Sequence, residues 1–371
     1  METINITKKR FDSLKQYQLP NYVYNTEGTL YVLPLKNRWN TQIKLLKRLY
    51  LNSGAVFGNK LQTINSLIDN RAEIDVNEII FPEKIATVGS EIVGFIMPLI
   101  NSINLKTALM DDHISNERKI KYLKQIGNIL EKMKLVREYT SINEFYLNDL
   151  HESNFIVTTD TDDIRVIDVD SCKINGNQIF TSKYLSSKSF INQIYKYQKN
   201  NAFSYPYAYS ESGIKYRKYS GTYHKYSTNI EGSFIPDENT DLYCYMIVIL
   251  NFLYGEDTSR FTFEEFYDYL SYLDKIGISK EFIDIAEKLV DGSPNENPYL
   301  LLDSLIPFIG RSNHYTYKYV MKKSSKQFRW FLLYYKSCFC YNYYRCYYGL
   351  QYQNRWIWRP SWFTPSLNKT I

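Results

Sequence analysis

The stretch LNDLHESNFIV, residues 147–157, sets Asp149, His151 and Asn154 in one short turn that runs into apolar residues. Fourteen residues beyond Asn154, Asp168 falls in a second run with strand character, IRVIDVD. A carboxylate can accept a proton from a hydroxyl nucleophile. An amide oxygen and a second carboxylate are hard donors that suit Mg2+. An imidazole can donate to a phosphate oxygen. These are the groups phosphoryl transfer asks for, because that reaction depends on positioning and charge neutralisation more than on covalent chemistry. The same residue types also fill ordinary surface turns, so the reading depends on the elements around them.

Two β-segments joined by a turn would aim Asp149, Asn154 and Asp168 at one point. Upstream, NYVYN, TLYVLPL and IKLLKRLY read as short strands, with Gly28 and Asn37 in the turns between them. In NKLQTINSLID, residues 59–69, Leu61, Ile64, Leu67 and Ile68 recur at helical spacing. KIATVG and IVGFIMPLI follow as strands about a VGSE turn. The region up to about residue 100 is therefore expected to be a small β-rich module with one helix. Beyond it the pattern turns helical. ERKIKYLKQIGNILEKMKLV carries a wide apolar stripe through Tyr122, Leu123, Ile126, Ile129, Leu130 and Met133. TDLYCYMIVILNFLYG is apolar nearly all round, as a buried helix would be, with Thr240 and Asp241 at its start and Gly255 at its stop. EEFYDYLSYL and KEFIDIAEKLV extend the helical part, and a Tyr-, Ser- and Asn-rich loop is expected from about 180 to 235.

The net charge of +6 hides a break in composition. From Ser304 onward there is no Asp or Glu, but there are six Lys and five Arg. Residues 1–303 hold the other 34 basic groups and all 39 acidic ones, a net of −5. Four of the five Trp (Trp330, Trp356, Trp358 and Trp362) lie in the basic segment. Such a break marks a boundary. The five Cys show neither a disulfide framework nor a zinc-ligand spacing, which points to a reducing compartment. The polar start METINITKKRFDSLKQ carries no signal-peptide pattern. A cytoplasmic protein without a transmembrane segment is expected.

The Asp149-to-Asn154 spacing matches the catalytic loop of protein kinases, and the chain resembles the protein-kinase-like superfamily over roughly residues 20–310. NDLHESNFIV looks like the catalytic loop of its bacterial and phage branch. VIDVD looks like the metal-binding strand and turn, and TDLYCYMIVILNFLYG like the buried helix of the large lobe. The resemblance implies an α+β, bilobal fold with a small β-rich N-lobe (1–100), a larger helical C-lobe (101–310) and a basic aromatic tail (311–371). It also implies ATP and Mg2+ as cofactors and a protein hydroxyl as acceptor. Asp149 would be the catalytic base, with His151 beside it at a phosphate-contacting place. Asn154 and Asp168 would hold the metal. Lys47 would bind the ATP phosphates; its bland alternative is a solvated strand lysine. Met97 would be the gatekeeper and Pro98, Leu99 and Ile100 the hinge. Asp241 would brace the loop's backbone.

Three features depart from that pattern. No G-x-G-x-x-G covers the first strands, where only Gly28 stands. The helix after Lys47 lacks the partner glutamate. Asp170 occupies the place of the glycine after the metal-binding Asp. Two alternatives follow: a pseudokinase acting as a binding scaffold, and a small-molecule phosphotransferase of the aminoglycoside or choline kinase type. In the tail, aromatics interleave with Lys and Arg, which suits single-stranded nucleic acid or a membrane surface. A loosely packed terminus is the plainer reading.

Overall fold

The computed structural model describes residues 2–17, 28–36, 41–49, 55–176, 215–219, 222–226, 237–261, 263–291 and 296–310. The chain divides into two compact units, Met1–Ser312 and Asn313–Ile371. The strand expected at NYVYN, most of the loop expected from 180 to 235 and the basic tail all lie outside the described residues. Within that loop only a hairpin is described, β11 (Lys215–Tyr219) paired antiparallel with β12 (Thr222–Tyr226).

The architecture is mixed α and β, with a β-rich N-terminal part and helices later, and among the described residues there is no closed barrel. Five strands form one sheet: β1 (Thr3–Asn5), β2 (Gly28–Lys36), β3 (Thr41–Leu49), β4 (Lys84–Val88) and β5 (Glu91–Pro98), in the order β1-β4-β5-β3-β2. The β1–β4 pair is parallel and the other pairs are antiparallel. Gly89 and Ser90 make the turn between β4 and β5, with Gly89 at φ 62°. A hairpin turn needs that left-handed backbone, and glycine adopts it without a Cβ clash.

Side chains alternate across a strand, so this sheet has two faces. Tyr31, Leu33, Leu46 and Ile96 point to one face and pack with Ile6 and Leu14, which flank α1 (Lys8–Ser13). Leu30, Leu49, Phe95 and Met97 point to the other and pack with Ile64 of α2 (Ala55–Asp69) and with Ile80. Leu61 and Ile68 support the same cluster, so the helical stripe read from sequence does meet the sheet. Lys47, in phase with Leu45 and Leu49, lies on this second face.

Helices then take over. After β6 (Ser102–Asn104) and α3 (Leu105–Met110), α4 runs from Asn116 to Tyr139. The Ser115 hydroxyl caps α4 by accepting from the Arg118 N–H at 3.3 Å. The expected stripe on α4 is buried. β7 (Phe145–Tyr146), β8 (Phe155–Thr158), β9 (Ile164–Val166) and β10 (Lys173–Ile174) carry the polar turn and its partner. β6, β8 and β9 form one small sheet, and β7 pairs with β10.

The helix α5 (Glu238–Tyr254) is buried along nearly its whole length and stops at Gly255, φ 88°. Its start differs from the expectation. Asp237 is the cap, accepting from the Thr240 N–H at 3.0 Å, while Thr240 accepts from the Asp237 N–H at 3.1 Å. Two cap-forming residues three apart make a reciprocal box, so the helix starts earlier and Asp241 sits inside its first turn. Tyr245 of α5 donates to the Leu123 carbonyl of α4 at 2.7 Å. α6 (Phe263–Lys275), α7 (Lys280–Asp291) and a 3-10 segment, Pro298–Phe308, complete the unit. Among the described residues no helix is long and apolar enough to cross a membrane.

One surface cluster makes a pH test. Asp162 accepts from Arg118 at 2.6 Å and from the Tyr122 hydroxyl at 2.5 Å. The Arg118 hydrogen bond is the main cause that lowers its pKa from 3.8 to about 2. A depressed carboxylate adds stability above its unfolded value and loses it as pH falls through the folded one. Parent protein should therefore lose this contribution between pH 3.8 and about 2. Asp162→Asn, which suits the φ of 58° at this site, should lose less over that window in thermal melts taken at stepped pH.

Candidate functional site

The polar turn is built from its backbone outward. Asn148 adopts φ 60°, a left-handed conformation that Asn tolerates better than most residues. Asp241, buried in the first turn of α5, then accepts from the Leu147 N–H at 2.7 Å and the Asn148 N–H at 3.0 Å. Burial pushes its carboxyl up to about 7, against the pull of these two donors. Arg137 of α4 braces the same corner, donating to the Phe145 carbonyl and to Glu238 at 3.0 Å each. Asp241 thus takes the bracing role the resemblance implied.

Asp149 and Asn154 meet directly. The Asn154 amide donates to the Asp149 carboxylate at 3.1 Å and to its carbonyl at 2.9 Å. That leaves the Asn154 amide oxygen as the atom available to a cation. His151, expected at a phosphate-contacting place, has a local role in the turn. It caps the short 3-10 turn at 152–154, its Nδ1 accepting from the Ser153 N–H at 3.2 Å. Its Nε2 lies 3.7 Å from Asp149 Oδ1. A neutral ring with Nδ1 accepting carries its proton on Nε2, so this imidazole faces Asp149.

Two hydrogen bonds tie this turn to the Asp168 segment. The Ile167 N–H donates to the Asn154 carbonyl at 2.9 Å, and the Asn148 amide donates to the Ser171 carbonyl at 3.2 Å. Asp168 itself sits at φ 64°, which turns the chain sharply after β9. The buried Cys172 thiol registers the convergence. Burial first, then the Asp241, Asp170, Asp149 and Asp168 carboxylates, hold its pKa well above the usual thiol range.

Lys47 enters from the sheet. It is 2 % exposed. Its Nζ pairs with Asp168 and lies 2.8 Å from Asp170. Burial alone would disfavour the ammonium, but the Asp168 and Asp170 carboxylates outweigh it and raise the Lys47 pKa. The solvated-lysine alternative is thereby set aside. Asp168 moves the other way: burial raises its carboxyl to about 7 against the pull of Lys47. Its side chain keeps 28 % of its surface, so solvent tempers that shift. For Asp170, burial is opposed by Lys47 and Lys60, which hold it well below the carboxylate range.

Lys60 of α2 is the residue the sequence reading missed. Its Nζ lies 3.0 Å from Asp170 Oδ2, and both side chains are buried. Where the resemblance calls for a helix glutamate facing Lys47, this chain has a helix lysine, and Asp170 stands between the two. The signal was present: Lys60 precedes Ile64 by four and Leu67 by seven, which puts a charge on the apolar stripe. Gly94 was also missed. At φ 154° it crosses β3 so closely that an added Cβ would lie 1.9 Å from the Lys47 carbonyl oxygen.

The expected nucleotide-edge residues divide. Met97 packs with Phe95 on the Lys47 face, and Ile100 and Ile167 pack against the same cluster. Pro98 ends β5 opposite Lys44, and Leu99 is exposed. For Mg2+, the oxygen donors of Asn154 and Asp168 are of the right type, and Mg2+ commonly takes one or two protein oxygens with phosphate and water completing the shell. Among the described residues no group of three or more His, Cys, Asp or Glu is placed to hold a metal ion.

Two substitutions test the scaffold of the site. Asp241→Ala leaves two buried N–H groups without their acceptor and should cost about 1–3 kcal/mol in urea denaturation. Gly94→Ala forces β5 off Lys47 and should cost about 1–3 kcal/mol, as overpacking does; retained stability there would mean the strands yield easily. No family model matches this chain and no curated protein matches it; the site stands on its own residues and distances.

Proposed function

We propose that this chain is a protein-kinase-like phosphotransferase that moves a phosphoryl group from ATP, with Mg2+, to a protein hydroxyl, Ser or Thr by default. The observation that carries the reading is the meeting of Lys47, from the sheet, with Asp168, in the turn tied to Asp149 and Asn154. On this reading the fold is bilobal, and the cleft lies between the sheet and the helical part. Bound Mg2+ would neutralise phosphate charge. Asn154 and Asp168 would hold it through oxygen. Lys47 would give its ammonium to the phosphates, and Asp149 would orient the acceptor hydroxyl and take its proton. His151 would keep the Asp149 carboxylate in place. Met97 and Ile100 would line the apolar base pocket, with the backbone at Pro98 and Leu99 as its edge.

The cytoplasm is the proposed location, in keeping with two buried cysteines outside any disulfide, Cys172 and Cys244. A contact with nucleic acid or an anionic membrane surface is proposed for the basic tail on its composition alone. Beside the missing glycine loop and helix glutamate, the scaffold reading has a contact in its favour: Lys47 is already held by two carboxylates.

Transfer of labelled phosphate from ATP to generic protein acceptors, with autophosphorylation scored alongside, tests the reading. Asp149→Asn should lower turnover by about 10²–10⁴-fold, as removal of a general base does. Lys47→Met should weaken Mg·ATP use by about ten- to a hundredfold, the range for a lost charge-assisted hydrogen bond. Nucleotide binding without transfer would favour the scaffold. Transfer only to an aminoglycoside or a choline-like alcohol would move the acceptor class.

A further inference from the structure

The site contains more buried charge than phosphate binding by one lysine requires. Lys47, Lys60 and Asp170 are each at most 2 % exposed, and Asp168 sits at their edge. With all four ionised, the two ammoniums and two carboxylates cancel. Asp170 is the shared member, with one oxygen 2.8 Å from Lys47 and the other 3.0 Å from Lys60. Neutrality at each stage limits which partners can change. When Lys47 turns to an anionic ligand and Asp168 to a cation, Asp170 would be a buried, uncompensated carboxylate if Lys47 were its sole cation. Leaving such a charge unpaired is strongly unfavourable. With Lys60 in place, Lys60 and Asp170 remain a neutral pair, and Lys47 is released without that penalty.

The helix is placed for this. α2 packs against the 169–171 turn that carries Asp170. Thr63, Ile64 and Leu67, which follow Lys60 on the same face, are fully buried. The Lys60 ammonium is therefore held within hydrogen-bond distance of Asp170.

We propose that Lys60 is a positioning residue for the phosphate site, holding Asp170 so that Lys47 can leave the carboxylates for a nucleotide triphosphate. This rests on the phosphotransfer reading above. It makes Asp170 a competitor for Lys47 that Lys60 keeps occupied. Removing Lys60 gives Lys47 back to Asp170; removing Asp170 as well lifts the competition.

Calorimetric titration of Mg·ATP into the full chain and its variants tests this, with thermal melts of each protein run alongside. Lys60→Met should weaken Kd by about ten- to a hundredfold, the range for a charge-assisted hydrogen bond that must be broken on binding. Lys60→Arg, which keeps the charge, should bind like the parent. Lys60→Met combined with Asp170→Asn should recover affinity to within about threefold of the parent, a coupling that two residues in contact can show. A residue that merely props the fold would make the double variant as weak as the single one or weaker, and that result would overturn the proposal. Equal binding by Lys60→Met and the parent would overturn it too. If Lys60→Met does not fold, the double variant carries the test, because it removes both buried charges together; a tenfold or greater loss of its affinity relative to the parent, roughly the size of one lost charged contact, counts against the proposal. A parent that binds no Mg·ATP overturns the phosphotransfer reading and this inference with it. A parent that binds, alongside a Lys60→Met variant that binds equally well, overturns this inference alone.

Discussion

The rest of the site depends on one constraint: charge buried between the sheet, α2 and the turn at 168–170 has to be neutralised within that space. An ion taken out of water carries a penalty of several kcal/mol, and its partners offset it only when their geometry is good. The arrangement of Lys47, Asp168, Asp170 and Lys60 is thus poorly explained as a source of stability. It is better explained as a device that fixes positions. A lysine on β3 cannot approach two carboxylates in a turn after β9 unless the sheet face, the helix and the turn are all held in register. The apolar cluster of Leu30, Ile64, Phe95 and Met97 does the holding.

The second dependence runs through the backbone. Asp149 and Asn154 are aimed by a turn whose N–H groups face inward, and those groups require a buried acceptor. Asp241 meets that need from the first turn of the most buried helix in the unit. The Asp149 carboxylate is thereby positioned by a residue about ninety positions away, through two backbone hydrogen bonds. Left-handed backbone at Asn148 and Asp168 completes the geometry. Both are residue types that accept it at modest strain, so their side chains can stand at these turns.

Much of this was legible in the sequence, because its signals were local. The strand pair around Lys47 shows as apolar flanks with alternation, the stripe of α4 as helical period, and α5 as a run too apolar to face water. Asp149, Asn154 and Asp168 stood out by residue type and spacing and Lys47 by the resemblance; the structure pairs Lys47 with Asp168 and Asn154 with Asp149. What was not legible depended on partners distant in the chain. Lys60 breaks the apolar stripe of α2, but its meaning needs Asp170, 110 residues later. Asp170 read as a departure from a glycine because nothing local says that two lysines surround it. The resemblance gave His151 a phosphate-contacting place, but its role as the cap of the 152–154 turn depends on the Ser153 N–H that it accepts from. The start of α5 was placed too late, since Asp237 and Thr240 are both cap formers and only their mutual hydrogen bonds decide between them.

The central claim is that Lys47 is shared between carboxylates and a phosphate ligand, with Asp168 and Asn154 facing a cation. A crystal structure of the full chain with Mg2+ and a non-hydrolysable ATP analogue tests it most directly. The account predicts Lys47 Nζ on a phosphate oxygen, Mg2+ on Asp168 and Asn154 oxygens, and Asp170 still paired with Lys60. A nucleotide bound elsewhere, or bound with Lys47 still bridging Asp168 and Asp170, would contradict it.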